Sequence, residues 1–190
     1  MAELACTPGQ TVGPFFGLAL PYPDDSALVD DAHPEAIRLH GTIYDGAGDG
    51  IPDALVELWQ PDSAGRIPRA AGSLRRDRAV LTGFTGWGRS STDADGRYGF
   101  TTVAPGSASG GRPPFFAITV FARGLLNRLF TRAYLPDGDL DADPLLATVD
   151  AARRSTLVCV AESGRAGYRF DIHLQGPNET VFLSYRGGGR

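Results

Sequence analysis

The sequence predicts a single-domain, all-β sandwich of about eight strands, with an extended N-terminal arm and one short helix. Three observations support this fold class. Apolar and polar residues alternate in short runs, which is typical of strands with one buried face. The 25 glycines and 14 prolines are scattered between these runs, where they indicate turns. A chain of 190 residues is long enough to enclose one core of its own.

The clearest alternation lies in residues 168–175 (YRFDIHLQ), where apolar side chains at every second position oppose polar ones. Similar runs bring the number of predicted strands to eight, a density typical of a sandwich. These runs cover residues 37–45, 54–60, 97–103, 115–123, 129–135, 156–161 and 180–183.

The segments around the strands define the domain organisation. Turn residues such as DGAGDG at positions 45–50 separate neighbouring strands. Apolar residues at near-helical spacing predict one helix over residues 143–154. Residues 1–36 lack periodicity and are expected to form the arm, residues 37–185 the sandwich, and the glycine-rich residues 186–190 a flexible tail.

Composition and charge exclude several classes of function. A net charge of −4 argues against nucleic acid or an anionic membrane surface as a partner. The N-terminal residues do not resemble a signal peptide, and no segment has the roughly 18 apolar residues of a membrane helix, so we expect a cytoplasmic location. Cys6 and Cys159 are too few for a four-cysteine zinc site and are expected to be free thiols.

The sequence also lacks the spacing of the common metal and catalytic motifs. His33, His40 and His173 form no HxH, HxxxH or HExxH pair. His40 and Tyr44 share a predicted strand face, but their Cα atoms would lie about 13 Å apart, too far to bind one ion. The DADG turn at residues 93–96 lacks the distal glutamate of a calcium loop. No nucleophile elbow or phosphate loop is present. The residues alone therefore predict a sandwich without a self-contained active site, and its function stays open.

Five segments, in the same order along the chain, resemble conserved segments of the intradiol ring-cleaving dioxygenases. They are TPGQTVGPF (7–15), GTIYDG (41–46) with ALVELWQ (54–60), TDADGRYGF through PG (92–106), FARG (121–124) and YRFDIHLQG (168–176). The resemblance covers nearly the whole chain. It implies a β-sandwich that acts on a small aromatic substrate with O2, in a family that uses non-haem Fe3+ held by two tyrosines and two histidines.

All four iron ligands that the resemblance implies are missing from this chain. Ile67 and Ala108 stand at the tyrosine positions, and Phe115 and Ala117 stand at the histidine positions. None of these side chains offers a lone pair to ferric iron, which requires nitrogen and oxygen donors. Restoring only the two histidines is therefore not expected to restore activity.

The same loss of ligands is typical of the alpha chain in two-chain members of the family. The resemblance thus implies that Fe3+ is bound by a partner beta chain, that this chain carries no catalytic or metal-binding residue, and that residues 1–36 pack on the partner. It further implies that Thr11, Gly13 and Pro14 line a substrate pocket shared by the two chains. Glycine allows close backbone approach there, and proline fixes the loop. Arg123 is expected to face a carboxylate of the substrate.

Two other functions remain open from the sequence. A non-catalytic carrier or scaffold would share the fold and the missing metal site, but it would need no second chain. A self-sufficient dioxygenase with a relocated ligand set would need residues from different strands to converge. The candidates for such a set are Tyr44, Tyr98, Tyr134, His40 and His173.

Overall fold

In a computed structural model, nine strands in the described part of the chain form two sheets that enclose one core. The structure describes residues 10–13, 15–68, 84–108, 110–164 and 166–184. The strands are β1 (Ile37–Tyr44), β2 (Leu55–Trp59), β3 (Trp87–Ser91), β4 (Arg97–Thr102), β5 (Phe115–Phe121), β6 (Leu129–Tyr134), β7 (Val160–Ala161), β8 (Gly167–Arg169) and β9 (Ile172–His173). The helices are α1 (Phe16–Ala19), α2 (Pro144–Thr148) and two 3-10 helices at Leu140–Ala142 and Ala151–Leu157. The all-β sandwich predicted from the sequence is confirmed.

The first sheet has the strand order β4-β1-β8-β7, and β9 also pairs with β1. The second sheet has the order β3-β2-β5-β6 and is antiparallel throughout. Alternate residues of each central strand enter the core between the sheets, as Leu39 and Ile43 do from β1 and Phe116 and Ile118 do from β5. Each such large apolar side chain contributes about 1.5–3 kcal/mol when fully buried. Because alternate residues of β5 face the core, the residues between them lie on the opposite face of the sheet, where a site can form.

The predicted strand over residues 168–175 is interrupted and forms β8 and β9 instead. At the break, the Phe170 carbonyl lies so close to Gly41 of β1 that a Cβ atom at position 41 would overlap it. This carbonyl accepts a 2.6 Å hydrogen bond from the buried Tyr98 hydroxyl. The Asp171 carboxylate accepts a 3.0 Å hydrogen bond from the backbone N–H of Thr42. Side-chain hydrogen bonds thus supplement the backbone ladder here, where the N–H of Phe170 still donates to the carbonyl of His40.

The predicted helix over residues 143–154 is also divided. Asp143 caps α2 by accepting from the N–H of Leu145, with Pro144 at the first helical position. Asp150 accepts from the N–H of Ala152 and begins a separate 3-10 helix. This 3-10 helix extends to residue 157, so the strand predicted over 156–161 shrinks to β7. No helix in the described ranges is long and apolar enough to cross a membrane.

Other differences lie at the edges of the fold. The strand predicted over residues 180–183 is reduced to one bridge between Phe130 and Leu183. β3 was not predicted, because its sequence WGRSS offers few apolar residues. The arm contains the four-residue helix α1, and the tail 186–190 lies outside the described residues. Cys159 is a buried free thiol, and burial raises its pKa to about 12; Cys6 is also outside the described ranges.

Candidate functional site

A cavity of about 360 Å³ lies on the outer face of the second sheet, at the start of β5. Phe115 and Ala117 flank the core residue Phe116, so the strand alternation directs them to this outer face. Ala117 lies in register between Trp59 of β2 and Arg132 of β6, and these three residues all line the cavity. The pairing of β2, β5 and β6 therefore places these three side chains side by side on the floor of the cavity.

Two loops close the cavity, and their backbones are in direct contact. A Cβ atom at Gly65, whose φ is +80°, or at Gly106 would overlap the backbone of the opposite loop, so both positions require glycine. The N–H of Gly106 donates a 2.8 Å hydrogen bond to the carbonyl of Asp62. This contact carries Ile67 from the first loop and Ala108 from the second to the cavity wall.

The cavity therefore gathers all four positions that the family resemblance assigns to iron ligands, but its residues do not fit a ferric ion. None of the four side chains has a nitrogen or oxygen donor. Gln60, which also lines the cavity, is fully engaged: its amide N–H groups donate to the carbonyls of Pro61 and Val103, and its oxygen accepts from Thr102. No group of three or more His, Cys, Asp or Glu residues within the described ranges is placed to hold a metal.

A buried polar network forms one wall of the cavity. The Asp143 Oδ2 atom accepts hydrogen bonds from the Tyr134 hydroxyl (2.8 Å) and from Arg132 Nη1 (3.1 Å). Burial raises the pKa of Tyr134 to about 12, so this hydroxyl stays protonated and donates a hydrogen bond to the carboxylate. The Arg132 guanidinium also lies 4.1 Å from the ring centroid of Phe115. These contacts hold a positive charge at a fixed place on an otherwise apolar wall.

A second concave surface lies at the other end of β5, about 20 Å along the strand from Phe115. We call it the arm groove; its volume is about 580 Å³. It is lined by Val12, Phe121, Ala122, Leu125, Leu126, Asn127, Arg128, Phe130, Leu183 and Ser184. The N-terminal arm thus meets the end of β5 at this groove.

Three of the four residues predicted to contact substrate, Thr11, Gly13 and Arg123, lie beside the arm groove. Thr11 and Gly13 flank Val12, and the Thr11 hydroxyl accepts a 3.2 Å hydrogen bond from the N–H of Gly13, whose φ is +76°. Arg123 directly follows Ala122, is exposed, and pairs with the carboxylate of Asp53. Pro14 lies outside the described residues. Thr11, Gly13 and Arg123 are thus separated from the four predicted ligand positions, which lie at the opposite end of β5.

The residues that a relocated iron site would need are dispersed. Tyr44 stacks on His173 with ring centroids 4.8 Å apart, and His40 Nε2 lies 3.0 Å from a carboxylate oxygen of Glu162. Tyr98 donates to a backbone carbonyl inside the first sheet, and burial raises its pKa well above the usual value. Tyr134 lies on the second sheet, in the network with Asp143. These tyrosines and histidines do not form a common metal site.

Arg132 and Asp143 were not predicted as site residues from the sequence. Arg132 occupies a polar position of an alternating strand, which predicts only a solvated face. The pair Asp143-Pro144 indicates a helix start and gives no sign of a second role. Their meeting depends on the register that the loop between β5 and β6 sets and on how α2 packs against that edge, and the packing of α2 cannot be seen in the local sequence.

Comparison with known proteins gives consistent matches over nearly the whole chain. The sequence profile of a family described as "Dioxygenase" matches residues 12–176. The protocatechuate 3,4-dioxygenase alpha chain of Burkholderia cepacia is 40% identical over 200 residues, which cover 96% of this chain and 99% of that one. The beta chain from the same organism is 35% identical over 159 residues, covering 77% of this chain and 67% of that one.

Solved structures give the same picture. The dioxygenase domain of a dioxygenase–carbohydrate-binding protein fusion from Streptomyces sp. SirexAA-E has a TM-score of 0.58 and 26% identity to this chain. The superposition covers 90% of this chain and 98% of that domain.

Proposed function

This chain belongs to the intradiol dioxygenase family, and from that premise we propose that it is the iron-free alpha subunit of a protocatechuate 3,4-dioxygenase. The whole enzyme would cleave 3,4-dihydroxybenzoate between its two hydroxylated carbons. Both atoms of O2 enter the product, 3-carboxy-cis,cis-muconate, so no other oxidant is needed. We assign Fe3+ to a beta subunit of the same fold, and we expect the pair in the cytoplasm.

One observation carries this proposal. The four positions that would bear the iron ligands, Ile67, Ala108, Phe115 and Ala117, line a single cavity and carry no donor atom. In this proposal the iron ligands therefore come from a second chain. The similarity of this chain to a beta chain as well as to an alpha chain supports a pair of related subunits.

The arm groove is the part of this chain that we propose to complete the substrate pocket. In this proposal Thr11, Gly13 and Pro14 form a wall of the pocket, and Arg123 binds the benzoate carboxylate by charge-assisted hydrogen bonds. The exposed guanidinium of Arg123 is accessible for that role, and its present partner Asp53 is also partly exposed.

Apolar residues on the arm support a contact with the partner chain. Val12 is 42% exposed, Phe15 73% and Leu18 80%. Large apolar side chains concentrated in one segment are typical of a surface that a partner covers. We therefore propose that residues 1–36 pack on the beta subunit.

The proposal is tested by expressing the chain alone and together with a ligand-bearing beta chain. Oxygen uptake on 3,4-dihydroxybenzoate is expected only from the co-purified pair. If the beta chain alone took up oxygen as fast as the co-purified pair, the proposed role of this chain in the substrate pocket would be contradicted. A chain that forms no complex would instead favour the carrier or scaffold function.

A further inference from the structure

We propose that the cavity at the start of β5 is itself a binding site for a planar aromatic carboxylate, distinct from the arm groove. The inference needs neither iron nor a partner chain. It rests on the shape of the cavity, its exposed apolar walls and two arginines whose donors are not all used by described residues.

The cavity has the size and walls of a small-molecule site. Its volume of about 360 Å³ lies within the usual range of roughly 300–1,000 Å³ for ligand pockets. Trp59 is 39% exposed and Ile67 55% exposed, although both lie in a concave surface. Phe115 and Pro113 extend the apolar wall. Flat apolar surfaces of this kind bind an aromatic ring by stacking and by removing apolar area from water.

Small side chains at two of the predicted ligand positions create this space. Ala117, in the centre of the floor, and Ala108, on one loop, present only methyl groups to the cavity. Ala117 lies in register between Trp59 and Arg132, and its methyl group is too small to fill the space between these two side chains. These small side chains therefore leave an apolar hollow that an aromatic ring can enter.

The arginines define the charge of the ligand. Arg132 uses Nη1 for Tyr134 and Asp143, but Nε and Nη2 have no hydrogen-bond partner within the described ranges. Its charge is balanced by Asp143. Arg112 also lines the cavity, and no carboxylate of the described residues lies within 4 Å of its guanidinium. Arg112 thus supplies a positive charge that no described carboxylate pairs with, and the Nε–Nη2 edge of Arg132 supplies paired donors that suit a carboxylate.

The test is a calorimetric titration of the full chain with benzoate and with its neutral isostere benzamide. Saturable binding of benzoate is expected, with benzamide binding at least about tenfold more weakly because it cannot form charge-assisted hydrogen bonds. Ala117→Leu fills the floor and should weaken benzoate binding at least about tenfold. Arg112→Gln should reduce the preference for benzoate over benzamide.

Arg123→Gln is the matched control, because it removes an arginine beside the arm groove and leaves the cavity intact. Circular dichroism melts test whether each variant is folded. Arg112 is exposed and forms no ion pair with a described residue, so Arg112→Gln tests the proposal even if Ala117→Leu does not fold. If the chain can be purified only with a partner, benzoate binding is compared between the complex with the original chain and the complex with Ala117→Leu. The difference in binding is then the contribution of the cavity. Absence of saturable binding, binding unchanged by both cavity variants, or binding lost in Arg123→Gln would overturn the proposal.

Discussion

Arg123 offers a direct test of how this subunit recognises substrate. Its side chain is 57% exposed and pairs with Asp53, whose side chain is 32% exposed. Exposed ion pairs of this kind contribute about 0–1 kcal/mol to the stability of the fold. Arg123→Ala should therefore leave the melting temperature of the assembled enzyme nearly unchanged.

The effect on substrate binding should be much larger. A hydrogen bond to a charged group is worth about 1.5–3 kcal/mol, which corresponds to roughly 10- to 100-fold in affinity. Because the carboxylate does not react, its binding energy should be similar in the ground state and the transition state. Arg123→Ala is thus expected to raise KM for 3,4-dihydroxybenzoate about 10- to 100-fold with little change in kcat. Steady-state oxygen uptake by the two-chain enzyme measures both constants.

Asp53→Asn is the matched control for this prediction. It breaks the same ion pair but leaves the Arg123 guanidinium free for the substrate, so KM should stay the same or fall. If Arg123 serves only the ion pair, the two variants should behave alike. A rise in KM below about twofold in Arg123→Ala, or an equal rise in Asp53→Asn, would refute the role of Arg123 in binding the carboxylate.

The fold supports three further predictions. Gly41→Ala should destabilise the chain in urea by about 3 kcal/mol or more, because the new Cβ overlaps a backbone carbonyl, whereas Gly17→Ala, which meets no atom within 4 Å, should have little effect. Asp143→Ala should lower stability by about 3–5 kcal/mol in thermal melts, since it removes a helix cap and leaves Arg132 without its buried partner. The raised pKa of Tyr134, about 12, means that stability falls as the pH rises from about 10 through 12; Tyr134→Phe should reduce that alkaline loss by roughly 2–3 kcal/mol in pH-dependent urea titrations.

The strands with strict alternation could be predicted from the sequence because each buries one face. β1 and β5 begin where the pattern begins, at residues 37 and 115. The interruption between β8 and β9 could not be predicted, because it depends on Asp171 reaching Thr42, 129 residues away in the sequence. The predicted helix over 143–154 is divided because the Asp150 side chain accepts a hydrogen bond from the N–H of Ala152. This bond begins a separate 3-10 helix, so α2 does not continue through residue 150.

The candidate site could be predicted only in part, and for a similar reason. The family motifs identify the positions of Ile67, Ala108, Phe115 and Ala117, and the structure brings these four residues to one cavity. The arginine that faces them, Arg132, depends on strand register. The alternation shows which face of β6 carries Arg132, but the residue that Arg132 opposes depends on the geometry of the loop between β5 and β6.

The location of the iron tests the central claim most directly. Iron should be measured in the chain purified alone, in the co-purified pair, and in a pair whose alpha chain carries Phe115→His and Ala117→His. We predict no bound iron in the lone chain, stoichiometric iron in the pair, and no additional iron with the two histidines, since both tyrosine positions still lack donors. Stoichiometric iron in the lone chain would contradict the assignment of the metal to the partner.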